Sequence, residues 1–98
     1  MTKKEVEKMD VKVFIIHGAY GNPNENWFPW LKNKLEKLGI KVFVPRFPTP
    51  EGQNLNNWLR TFKEYISHVD EKTIFVGHSL GTAFIMNIIE TLEQPILL

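Results

Sequence analysis

The sequence predicts an α/β domain, a parallel β-sheet with helices on both faces. Three observations carry that prediction. Short apolar runs with β-branched residues, "VKVFII", "IKVFVP" and "TIFV", recur along the chain. Segments with apolar residues at helical spacing separate them. The joins between them include stretches rich in Gly, Asn and Pro. Strands joined by helices pair in parallel through right-handed crossovers, which leaves helices on both faces. In such sheets, ligands bind outside the carboxyl ends of the strands, where strand order reverses.

Residues 1–10, "MTKKEVEKMD", read as a charged lead without the apolar stretch of a signal peptide. Val11 to Ile16 reads as a buried first strand, ended by Gly18. "GAYGNPNEN" is a loop by its turn chemistry. Trp27, Trp30, Leu31, Leu35 and Leu38 then mark a helix. Asn24 or Asn26 can cap it, Pro29 fits its first turn, Lys34 and Lys37 suit its negative end, and Gly39 stops it. "IKVFVP" is a second strand closed by Pro45. The prolines of "PRFPTPEGQ" exclude a helix interior. Leu55, Trp58, Leu59, Phe62, Tyr65, Ile66 and Val69 form the cleanest amphipathic pattern, with Asn54 as its cap. "SHVDEK" turns the chain into the third strand, "TIFV". From Leu80 to about Leu92 the spacing is helical but apolar on more than one face, so this helix should be the most buried. "PILL" begins a fourth strand, giving the order β-α-β-α-β-α-β.

Composition narrows the function. A chain of 98 residues is one domain at most. Its 43% hydrophobic and 23% charged content is that of a globular protein, not a disordered one. The net charge of +1 offers no basic field for nucleic acid or anionic lipid. Cysteine is absent, which excludes disulfides and thiolate metal sites and agrees with a cytoplasmic location. No apolar run approaches the roughly 20 residues that span a bilayer. No cluster has metal-ligand spacing, and both the G-x-G-x-x-G and G-x-x-x-x-G-K-[ST] fingerprints are missing. No cofactor, metal, nucleic-acid or membrane partner is expected.

The chemistry concentrates in "TIFVGHSLGTAF", residues 73 to 84. Gly77, Ser79 and Gly81 form G-x-S-x-G between a strand and a helix, the setting of a nucleophile elbow. There the serine hydroxyl is lifted clear of the sheet, and the glycines let strand and helix pass closely. The plainer reading makes Ser79 a helix cap, which does not need both glycines. At a helix start the Leu80 N–H is an unpaired donor in a positive field. A second donor, Ala19 or Tyr20 N–H, would come from "HGAYG" at the same edge. Two such donors hold the oxyanion of an acyl-transfer intermediate.

"FIIHG", "NWFPWLKNKLEKLGI", "PRFPTP", "NNWLRTF" and "VGHSLG" stand in the order seen in the small α/β-hydrolases of the YdeN type. These are relatives of the retinoblastoma-binding-protein serine hydrolases. The resemblance runs from about Val11 to Leu98. It implies a partial α/β-hydrolase fold, with residues 11–98 as the N-terminal part of the domain. It implies an esterase-like serine hydrolase acting on a small-molecule ester-like substrate, with Ser79 as nucleophile and Leu80 N–H in the oxyanion hole. In that family a later aspartate and a histidine near the C-terminus complete the triad, so the acid and base are expected beyond Leu98.

Upstream residues do not replace them. His17 precedes the oxyanion loop and reads as ordering it. His78 neighbours Ser79, but adjacent side chains on a sharp turn point apart. His17, His78 and Arg46 are the candidates for the substrate edge. His68 and Asp70 look like a catalytic pair, yet they precede the third strand while Ser79 follows it. Four strand residues put them ~13 Å apart, against the ~3 Å that proton transfer needs. Trp27, Trp30 and Trp58 read as core. Two alternatives stand beside the hydrolase: an inactive hydrolase domain serving as a binding or oligomerising module, and a flavodoxin-like anion binder. The apolar end "QPILL" would leave an open sheet edge. A homo-oligomer or a complementing C-terminal chain is the expected partner.

Overall fold

The computed structural model describes residues 1–92. Its elements are α1 (Lys3–Met9), β1 (Lys12–Ile16), α2 (Phe28–Lys37), β2 (Lys41–Phe43), α3 (Leu55–Lys63), a 3₁₀ turn (Ile66–His68), β3 (Thr73–Gly77) and α4 (Leu80–Thr91). The three strands form a parallel sheet in the order β2-β1-β3. Lys12 pairs with both Lys41 and Thr73, and Ile16 pairs with Gly77.

As the central strand, β1 is buried along its whole length, and its side chains alternate between two layers. Val13 and Ile15 pack with Phe28, Val42, Leu31 and Leu35 on the α2 side. Phe14 and Ile16 face the α3 and α4 side, among Trp58, Phe62, Phe84 and Ile88. Phe14 anchors an aromatic cluster: its ring stacks on Phe43 at 4.8 Å and meets Phe62 and Phe75 at 5.5 Å. Of the helices, α4 buries the most residues: Gly81, Phe84, Ile85 and Ile88.

Several elements differ from the sequence reading. The charged lead is a helix. Thr2 and Glu5 close a capping box at the start of α1, and Asp10 ends it at φ 57°. No residue of α1 is buried, so hydrophobic periodicity could not reveal it. In α2 the capping position is Trp27, without a side-chain bond, so neither Asn24 nor Asn26 caps it. Its core face is Phe28, Leu31 and Leu35. Trp30 therefore falls outside the core and is 62% exposed, and Trp27 is 37% exposed. Trp58 is core, as expected. α3 ends at Lys63, and a 3₁₀ turn replaces its expected last turns. The expected strand at "PILL" lies outside the described residues.

The N-terminal edge of the sheet holds a buried cation. Lys12 Nζ donates to Asp70 Oδ2 at 2.6 Å and to Asp10 Oδ2 at 3.0 Å. Burial opposes the charge of Lys12, but the two carboxylates outweigh it and hold its pKa above the ordinary lysine value. The Lys12 ammonium and the Lys72 N–H hold the Asp70 carboxyl below the usual carboxylate range.

Candidate active site

Ser79 stands between the last residue of β3, two positions back, and the first residue of α4. Its φ is 55° and its ψ is −124°. Such a conformation strains a residue with a Cβ by roughly 1–3 kcal/mol and persists only where neighbours enforce it. Here His78 N–H donates to Ile16 O at 3.1 Å, tying the turn to β1. Gly81 N–H reaches His78 O, and Thr82 N–H reaches Ser79 O, both at 3.0 Å. The two glycines are sterically required. A Cβ on Gly77 would lie 2.8 Å from the Thr82 backbone. A Cβ on Gly81 would overlap the Ile16 carbonyl oxygen and stand 2.7 Å from that of His17. Ser79 is exposed, and its hydroxyl makes no capping bond to α4. Ser79 therefore stands at the N-cap position of α4 without capping it through its side chain.

The loop after β1 meets this turn. A Cβ on Gly18 would come within 3.0 Å of Ser79 Cβ and 3.4 Å of Leu80 N. The sequence reading took Gly18 only as the end of the first strand, although glycine is also what a close approach of two loops requires. Gly21 N–H bonds Gly18 O at 3.1 Å and closes the loop. Tyr20, at φ 60°, gives its N–H to Thr49 Oγ1 at 2.7 Å. That N–H is thus occupied. Among the described residues, the N–H groups of Ala19 and Leu80 make no hydrogen bond. His17 lies beneath the loop, fully buried. Its Nε2 accepts from Phe47 N–H at 2.9 Å, so the ring hydrogen sits on Nδ1, which donates to Gly18 O at 2.8 Å. Placing His17 at the substrate edge is thereby corrected: the ring is a buried brace between two loops.

The model of the serine hydrolase family matches residues 13–97. The chain belongs to the serine hydrolase family. Its relatives in that family include YdeN of Bacillus subtilis (strain 168), a protein named as a hydrolase, at 36% identity over 85 residues. That match covers 87% of this chain and 45% of YdeN. The serine hydrolase RBBP9 of Rattus norvegicus is 34% identical over 83 residues, covering 82% of this chain and 44% of RBBP9. The crystal structure of the B. subtilis ydeN product superposes with a TM-score of 0.79 over 86% of this chain and 45% of that one. The chain spans less than half the length of these relatives. Its parallel sheet and flanking helices form a partial α/β fold of this family.

Around Ser79 the remaining candidates separate. His78 is half-buried, its ring edge-on to Trp27 at 6.1 Å and Phe28 at 5.9 Å. Arg46 is exposed on the loop after β2. The ring of His68 lies on Phe43 at 4.7 Å, and Asp70 is engaged with Lys12, at the far edge of the sheet from Ser79. Ser79 Oγ makes no hydrogen bond among the described residues. Between α3 and α4 opens a pocket of about 230 Å³, walled by Leu80, the residue after Ser79, and by Leu55, Trp58, Ala83 and Phe84. The exposed amides of Gln53 and Asn54 and the half-buried amide of Asn87 complete the lining. No sequence signal marked this pocket, because its walls come from helical stripes that read as core. Among the described residues, no helix is long and apolar enough to cross a membrane, and no group of His, Cys, Asp and Glu could hold a metal.

Proposed function

We propose that this chain carries the nucleophile and oxyanion hole of a serine hydrolase acting on carboxylic esters or related acyl bonds. The observation that supports this most is the strained, exposed Ser79 held between two glycines that cannot accept a Cβ. In this reading Ser79 Oγ attacks the acyl carbon as its proton passes to a general base. The oxyanion that forms accepts from Leu80 N–H and Ala19 N–H, since Tyr20 N–H is held by Thr49. Losing one such donor lowers the rate by ~10²–10³. Collapse expels the alcohol, and water then releases the acid from the acyl-serine. The base and acid come from outside the described residues, because the imidazoles here are buried, remote or turned to aromatic neighbours. The free Ser79 hydroxyl also supports a second reading, a hydrolase domain that binds but does not turn over.

Hydrolysis of 4-nitrophenyl acetate by the chain separates these. An oxyanion hole and binding alone retain on the order of 10³ over water when a triad member is missing, so the deciding readout is the acetyl-enzyme and not the rate. The hydrolase reading expects an acetyl group on Ser79 by mass spectrometry, absent in Ser79→Ala and present in His68→Ala. A folded chain that forms no acetyl adduct on Ser79 would refute it.

A further inference from the structure

The pocket between α3 and α4 suggests what part of a substrate the site takes. Its volume of about 230 Å³ exceeds the roughly 150 Å³ of an apolar cavity that binds benzene. It is thus large enough for a substituted ring. Its deep walls are the rings of Trp58 and Phe84, edge to face at 5.2 Å. Both are almost fully buried, so the rings are held in place before anything binds. Trp58 is further fixed by its Nε1–H bond to Pro48 O at 2.7 Å and by stacking on Phe47 at 4.7 Å. Among the described residues no charged side chain lines the pocket, and the polar groups there are neutral amides. A charged group entering it would lose its hydration without compensation.

Two observations tie the pocket to Ser79 rather than leaving it an incidental groove. Leu80, whose N–H is a free donor, also supplies part of the wall, so the pocket begins one residue from the serine. Gln53, on the opposite side, accepts from the Thr49 hydroxyl, and Thr49 in turn accepts the Tyr20 N–H. One hydrogen-bonded chain therefore runs from the pocket to the loop that carries Ala19.

We infer that this pocket receives an uncharged, ring-sized acyl group, so that the preferred substrates are aryl-bearing esters or amides rather than acetyl or anionic ones. This rests on the serine hydrolase reading. It assigns Ala83, exposed at the mouth, as the position where bulk would close the pocket.

The test compares kcat/KM for 4-nitrophenyl phenylacetate and 4-nitrophenyl acetate, in wild type and Ala83→Trp. The shared leaving group cancels in the ratio. The phenylacetate-to-acetate ratio should favour the ring in wild type and fall by at least about tenfold in Ala83→Trp. Toluene, followed by NMR shifts of the Leu80 amide and the Asn54 and Asn87 side chains, reads the pocket without chemistry. Those shifts should occur in wild type and in Ser79→Ala alike, and vanish in Ala83→Trp. An unchanged ratio, or toluene shifts confined to other surfaces, would overturn the pocket assignment. Toluene binding at the pocket with no acyl adduct formed on Ser79 by either ester would instead overturn the hydrolase reading, and the acyl role with it.

Discussion

At the N-terminal edge of the sheet, the buried charge of Lys12 is answered by two carboxylates, and the chain enters through a capped helix. At the C-terminal edge, Ser79 is held in a strained conformation, its hydroxyl has no partner among the described residues, and two backbone N–H groups stand free. The first edge is electrostatically closed and the second is open. Both contain the residue types of catalysis, and the sequence alone makes His68 and Asp70 the more conspicuous pair. The difference is what the neighbours have already used. Asp70 is taken by Lys12 and by the Lys72 N–H, and the His68 ring lies on Phe43. A functional edge is one where groups are positioned by others yet left unsatisfied.

The most severe way to break the contrast is at the crossing of α4 over β1. Gly81→Ala places a Cβ into the Ile16 and His17 carbonyls. It should lower stability by about 3 kcal/mol in urea melts. A neutral result would mean that the close approach does not hold the turn.

Ser79→Gly acts in the opposite direction. It removes the Cβ from the strained backbone and should raise stability by about 1–2 kcal/mol while abolishing ester hydrolysis. If stability is unchanged, the conformation is not strained and the open edge lacks its defining feature.

Next in size is the brace on the loop after β1. Thr49→Val leaves the Tyr20 N–H without its partner, a loss of ~1 kcal/mol. As a positioning residue, Thr49 should affect kcat by up to about tenfold, with little change in KM, and Thr49→Ser should restore it. A KM effect without a kcat effect would move Thr49 into substrate binding.

The smallest effect is expected at the closed edge and is seen only against pH. The depressed Asp70 pKa contributes stability that is fully present above 3.8 and lost as pH falls through its lower folded value. The raised Lys12 pKa contributes stability that is fully present below 10.5 and lost as pH rises through its higher folded value. Asp70→Asn should flatten the acid arm of a stability profile and leave Ser79 chemistry intact. An unaltered acid arm would show that solvent screens the pair at this edge.

Much of this was legible in the sequence because the signals are local. The β-branched runs, the Asn54 cap and the Gly-x-Ser-x-Gly turn each lie within a few residues, and the structure shows strands, a capped helix and a positive-φ serine there. The capping box of α1 was local too, as Thr2 followed by Glu5, but that helix has no apolar face to draw notice. What the sequence hid depends on distant partners. The occupation of the Tyr20 N–H turns on Thr49, 29 positions away, and the burial of Lys12 turns on Asp70, 58 positions away. Trp30 was misplaced because an apolar residue at helical spacing need not face the core when Phe28, Leu31 and Leu35 already fill it.

The most direct test of the central claim is the rate of fluorophosphonate attachment to Ser79, mapped by mass spectrometry with and without added imidazole. Imidazole can stand in for a base that the described residues do not supply. The account expects an adduct on Ser79, absent in Ser79→Ala, whose rate of formation rises with imidazole concentration. A folded chain that forms no adduct on Ser79 at any imidazole concentration, or is labelled elsewhere, would contradict it.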